Sequence, residues 1–146
     1  MKTVILAKDK WWELEKRLNQ LIPETEADPA FWRAVENNEV KLKAVLSKYG
    51  VPEEDWEVPW HRFRCRVLYC YIYADRVYDA KLLAKISALL PHDGRPWYAQ
   101  LECYTDSKRA PNGGPDTLGM IILYEDVAYL CSDDELTKRP ELIELA

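Results

Sequence analysis

The sequence predicts an α+β domain over residues 1–146, with N-terminal helices followed by an antiparallel sheet of about four strands and one helix packed on it. Three observations predict it. Apolar residues recur at spacings of three and four between Trp11 and Tyr49, the period changes to two from His61, and turn signals then separate short β-prone runs.

The segment Met1 to Ala7 is apolar enough to add an edge strand. Asp9 is placed to cap a helix whose stripe is Trp11, Leu14, Leu18, Leu21 and Ile22, and Pro23 stops it. Asp28-Pro29 offers a cap and a first-turn proline to a second stretch through Phe31, Ala34, Val35, Leu42, Val45, Leu46 and Tyr49. Gly50 and Pro52 end that stretch, and Asn37-Asn38 offers a point where it divides in two. From His61, Arg62, Arg64 and Arg66 alternate with Phe63, Cys65 and Val67 and lead into Leu68-Tyr69-Cys70-Tyr71-Ile72-Tyr73, which reads as a long strand over 62–73. A helical phase through Phe63, Val67, Cys70 and Ala74 is available to the same residues. Val77 to Leu90 is helical, with Leu82, Ile86, Leu89 and Leu90 on one side and Pro91 closing it.

Asp93-Gly94 and Pro96 turn the chain into Trp97 to Tyr104, a half-buried antiparallel strand in which Trp97, Ala99, Leu101 and Cys103 share a side. After the loop from Thr105 to Asp116, Leu118 to Tyr124 and Val127 to Cys131 pair through a tight turn at Glu125-Asp126. The expected sheet is therefore a meander joined by the strand at 62–73. The acidic stretch from Ser132 to Ala146 is expected to carry one short helix after Pro140.

A chain of 146 residues with 48 % hydrophobic and 31 % charged residues has the composition of a folded domain and not of a disordered one. Met1 to Lys8 is too short in apolar residues for a secretory core, and no run reaches the roughly 18 apolar residues of a membrane span. The expectation is a cytoplasmic protein with no membrane partner. Cys65, Cys70, Cys103 and Cys131 are then expected as reduced core thiols, without a C-x-x-C pair to suggest zinc. His61 and His92 stand in no metal-binding pattern, and the Asn112-Gly113-Gly114-Pro115 loop lacks a phosphate-binding context, so no metal or other cofactor is expected.

Charge is uneven. Residues 61–110 hold nine Lys/Arg against five Asp/Glu, whereas residues 111–146 hold two against eight, in a chain of net charge −5. An acidic field of this kind steers basic partners and repels phosphate backbones. The arginine row at 62, 64 and 66 is the one feature that suits single-stranded nucleic acid, and the pI near 5.1 weighs against that reading. Six Trp and nine Tyr stand against two Phe, a choice of aromatics that keep a polar handle and are enriched where a surface meets a partner.

These features favour a protein that acts by binding, an inhibitor or neutraliser of a basic protein such as a toxin or an enzyme, and not an enzyme itself. Small size, acidity and aromatic richness are also the general profile of bacterial immunity proteins, although no motif here is specific to a family. The expected partner-binding residues are Trp97, Tyr98 and Tyr104 as aromatic anchors, with Glu102, Asp106, Glu125, Asp126, Asp133, Asp134 and Glu135 as the electrostatic complement. The competing expectation is a small hydrolase or ligand-binding domain using His92, Asp93, Arg95 and Glu102. Self-association through the aromatics is a third.

Overall fold

The computed structural model describes residues 1–21, 29–51, 56–57, 67–73, 80–90, 97–104 and 117–138. The elements are β1 (Lys2–Leu6), α1 (Lys8–Leu21), α2 (Pro29–Lys48), β2 (Trp56–Glu57), β3 (Val67–Tyr73), α3 (Ala80–Ser87), β4 (Tyr98–Tyr104), β5 (Thr117–Tyr124), β6 (Val127–Cys131) and a 3-10 helix at Glu135–Lys138. The α+β class holds.

The sheet differs from the expected one. It is six-stranded and mixed, in the order β1-β6-β5-β4-β3-β2, with β1 parallel to β6 and β3 parallel to β4. The pairing of β3 with β4 is parallel because α3 carries the chain back across the sheet between them, and a crossover returns the second strand in the direction of the first. Side-chain alternation is the same for either direction, so the sequence pattern does not distinguish them. The strand reading of 67–73 holds, while residues 62–66 lie outside the described residues, as does the expected helix after Pro140.

Helices cover both faces, where a single helix was expected. On one face Leu42 and Leu46 of α2 and Leu82, Leu83 and Ile86 of α3 pack with Ile72, Leu101, Ile121, Leu123 and Leu130 of the strands. On the other, Trp11, Leu14 and Leu18 of α1 pack with Tyr98, Ile122 and Cys131. β4 and β5 are thus buried on both sides, which is why Tyr98 and Gln100 are as enclosed as Ala99 and Leu101. α2 is one helix through Asn37-Asn38, since an asparagine in a helix interior costs only about 0.7 kcal/mol or less and does not break it. It ends in a Schellman closure: Val51 N–H donates to Leu46 C=O at 2.8 Å and Gly50 N–H to Ser47 C=O at 3.0 Å, with Gly50 at φ 77°. Asp9 is not the cap of α1. Trp11 N–H donates to Ala7 C=O at 2.9 Å, so Asp9 falls in the first turn, where its charge complements the helix dipole.

Candidate partner-binding surface

Trp97 and Tyr98 are core residues, 6 % and 2 % exposed, and have no surface to give a partner. This corrects their expected role as anchors. The phenol of Tyr98 finds its acceptor inside the chain, donating to Asn19 Oδ1 of α1 at 2.7 Å. Gln100, on the same face, donates to Glu15 Oε2 at 2.8 Å, so two polar tips of β4 are satisfied by the helix lying over them. Glu102 is half-buried in β4, and Tyr104 ends that strand opposite Tyr73 and Thr117. Asp106 and the alternative set His92, Asp93 and Arg95 lie outside the described residues.

The expected acidic residues form two groups. Glu125 and Asp126 make the β5–β6 turn, both exposed and both with positive φ, 49° and 62°, as a two-residue turn between right-twisted strands requires. Asp133, Asp134 and Glu135 follow β6 at its other end, so the groups are separated by the length of a five-residue strand, roughly 16 Å. The negative charge of Glu125 acts on its neighbour Tyr124, whose phenol is pushed up first by burial and then by that carboxylate.

Asp134 differs from its neighbours. Its Oδ2 accepts the backbone N–H of Met120 at 3.1 Å, and burial raises its pKa above the ordinary value of 3.8, against the lowering effect of that bond. Beside it β5 carries a bulge: Cys103 pairs with Gly119 and Tyr104 with Thr117, leaving Leu118 as the extra residue, its side chain buried in the core. Gly119 takes φ 150°, and a Cβ there would stand 2.6 Å from Asp134 Oδ2. Glycine is therefore required twice over, by the backbone angle and by the carboxylate. The segment is tied down further by Ser132 N–H to Leu6 C=O at 2.8 Å and Thr137 Oγ1 to Asp134 C=O at 2.8 Å.

Next to this acidic end lies an exposed aromatic outside the expected set of anchors. Trp11 and Trp12 are consecutive in the first turns of α1, about 100° apart on the helix, so only one can face the sheet. Trp11 does, burying its ring and donating its indole N–H to Tyr129 C=O at 3.2 Å. Trp12 is left 62 % exposed. The Lys8 ammonium stands 5.7 Å from its ring centroid, within reach of a cation–π attraction. A cleft of about 250 Å³ runs from Lys8, Trp11 and Trp12 to Met120, Cys131, Asp133 and Asp134.

The arrangement suits a cation. An exposed indole face, a half-buried carboxylate and an exposed carboxylate border one cleft, the combination that holds an ammonium or guanidinium group. The signal was present in the sequence as a Trp-Trp pair in which the helical stripe uses only the first member. Among the described residues no group of His, Cys, Asp and Glu gathers at metal-binding spacing. Cys70, Cys103 and Cys131 are buried cysteines. No described helix is long and apolar enough to cross a membrane. A scan against protein-family models and searches of curated proteins and of solved structures found no match.

Proposed function

We propose that the protein acts by binding, as an inhibitor or neutraliser of a basic protein, through the end of the sheet where Trp12 and the residues after β6 meet. The observation that carries this reading is Trp12, a large aromatic exposed on a helix whose other tryptophan is buried, at the rim of a cleft bordered by Asp133 and Asp134. In this reading Trp12 takes over the anchoring role expected of Trp97 and Tyr98. A cationic side chain of the partner lies against the indole in place of Lys8, its charge met by Asp133, while Glu135, Glu125 and Asp126 supply the longer-range field.

The test is capture of binding proteins from the source cell's lysate on immobilised protein at low and high salt, with Trp12→Ala on a parallel column. One basic protein retained at stoichiometric level, released by salt and lost from the Trp12→Ala column, is the expected result. An anchor of this kind is worth about 2 kcal/mol or more, hence at least tenfold in affinity. Retention that is indifferent to Trp12, or no retention, overturns the reading. Because Trp12 is exposed, its replacement is expected to leave the melting temperature within the small range of surface substitutions, which separates lost binding from lost folding.

A further inference from the structure

We infer that the free edge of β1 is a self-association surface, at which a second copy of this chain adds its own β1 antiparallel to make one continuous sheet across a two-fold axis.

β1 is the edge strand, paired on one side only, with β6, in the parallel register Lys2↔Val127 to Leu6↔Cys131. Ser132 N–H donates to Leu6 C=O, which fixes the phase of the ladder: in a parallel pair the N–H and C=O of one residue point to the same neighbour, so Lys2, Val4 and Leu6 face β6. Thr3 and Ile5 therefore turn their N–H and C=O groups outward. Ile5 is 45 % exposed and Thr3 partly so, and no hydrogen bond involving the outer edge occurs among the described residues.

The chemistry of the strand favours pairing. Exposed edges are ordinarily protected by charged residues, proline, bulges or a covering element. The one charged residue of the strand, Lys2, stands at its start; Thr3-Val4-Ile5-Leu6 holds neither charge nor proline, and three of these four residues are β-branched.

A second copy fits because the outward positions are symmetric about Val4. With Val4 opposite Val4 on the two-fold axis, Thr3 of each copy lies opposite Ile5 of the other, and each such pair exchanges both of its N–H to C=O bonds. Lys2 then lies opposite Leu6, so no like charges face each other within the ladder. The same register sets each exposed Ile5 side chain against the Thr3 methyl of the other copy. The symmetry is isologous and closes at two chains, because pairing consumes the one free edge of β1 in each copy.

Sedimentation over a wide concentration range, with amide hydrogen exchange of the same samples, tests this. The expected result is a rise in mass from 17.1 kDa toward twice that value as concentration increases. The Thr3 and Ile5 amides should gain protection in parallel, while those of Val4 and Leu6 are protected throughout. Thr3→Pro deletes an outward N–H without touching the ladder to β6 and is expected to leave a folded monomer. Ile5→Lys, which keeps every backbone donor, is expected to weaken association at least tenfold. A monomer at all concentrations overturns the inference, as does a dimer that survives both substitutions or leaves the Thr3 and Ile5 amides exchanging freely. Binding of a basic partner through Trp12 would be unaffected by any of these outcomes.

Discussion

Asp134 holds the backbone of β5 from the far end of β6, and its environment dictates a specific response to pH. Its pKa is raised in the folded protein, chiefly by burial, so the fold favours the protonated form. The resulting contribution to stability is complete below the unfolded value near 3.8 and is lost as pH rises through the folded value. Asp134→Asn keeps an acceptor for Met120 N–H and removes the titration. Urea unfolding of the two proteins at several pH values should show the substitution gaining relative stability between acid and neutral pH; a difference independent of pH would refute this. Asp134→Ala leaves a backbone N–H without its acceptor and is expected to cost about 1–3 kcal/mol. Gly119→Ala places a methyl carbon against the same carboxylate at an unfavourable φ and is expected to cost about 2 kcal/mol or more. Part of that cost should be recovered in the Asp134→Ala background, where only the backbone term remains; simple additivity of the two would show that the clash had been relieved elsewhere.

At the scale of elements, the docking of α1 on the sheet combines apolar burial with polar closure. Leu18 is fully buried, and Leu18→Ala is expected to destabilise by about 2–5 kcal/mol. Tyr98→Phe removes one bond to Asn19 and is expected to cost about 1 kcal/mol, read in the same unfolding measurement. The abundance of Tyr and Trp indicates that polar handles must be satisfied, but not whether a partner, water or another part of the chain does so; for Tyr98 it is Asn19. The stripe of α1 and the β5–β6 hairpin were legible because their signals are local, a 3.6-residue period and a two-residue turn. β2 was not, being two residues long, and the parallel pairing of β3 with β4 was not, since strand direction is decided by the intervening helix. The hairpin remains open to improvement. Neither Glu125 nor Asp126 is the residue best suited to positive φ, and Glu125→Asn with Asp126→Gly is expected to stabilise by about 0.5–1 kcal/mol while removing two charges.

Over the whole molecule, a chain of net charge −5 presents described carboxylates at both ends of β6, and the two groups are expected to act differently on a cationic partner. Reversal of Asp133 and Glu135 to Lys, beside Trp12, should slow association and speed dissociation. Reversal of Glu125 and Asp126 should slow association alone, most at low salt. Equal effects of the two pairs in a kinetic binding assay would place the contact away from Trp12. The candidate surface was legible in the sequence as charge and only half legible as shape, because the acidic segment is contiguous in sequence while its aromatic partner comes from α1. The same long reach governs biosynthesis. β1 takes its place beside β6, and α1 closes over Ile122 and Cys131, so residues 2–18 cannot be fully sheltered until the chain has been made as far as residue 131. Until synthesis has passed residue 131 the Trp11–Leu14–Leu18 stripe lacks part of the sheet it covers, and over that interval it is expected to be open to chaperones that hold apolar helices.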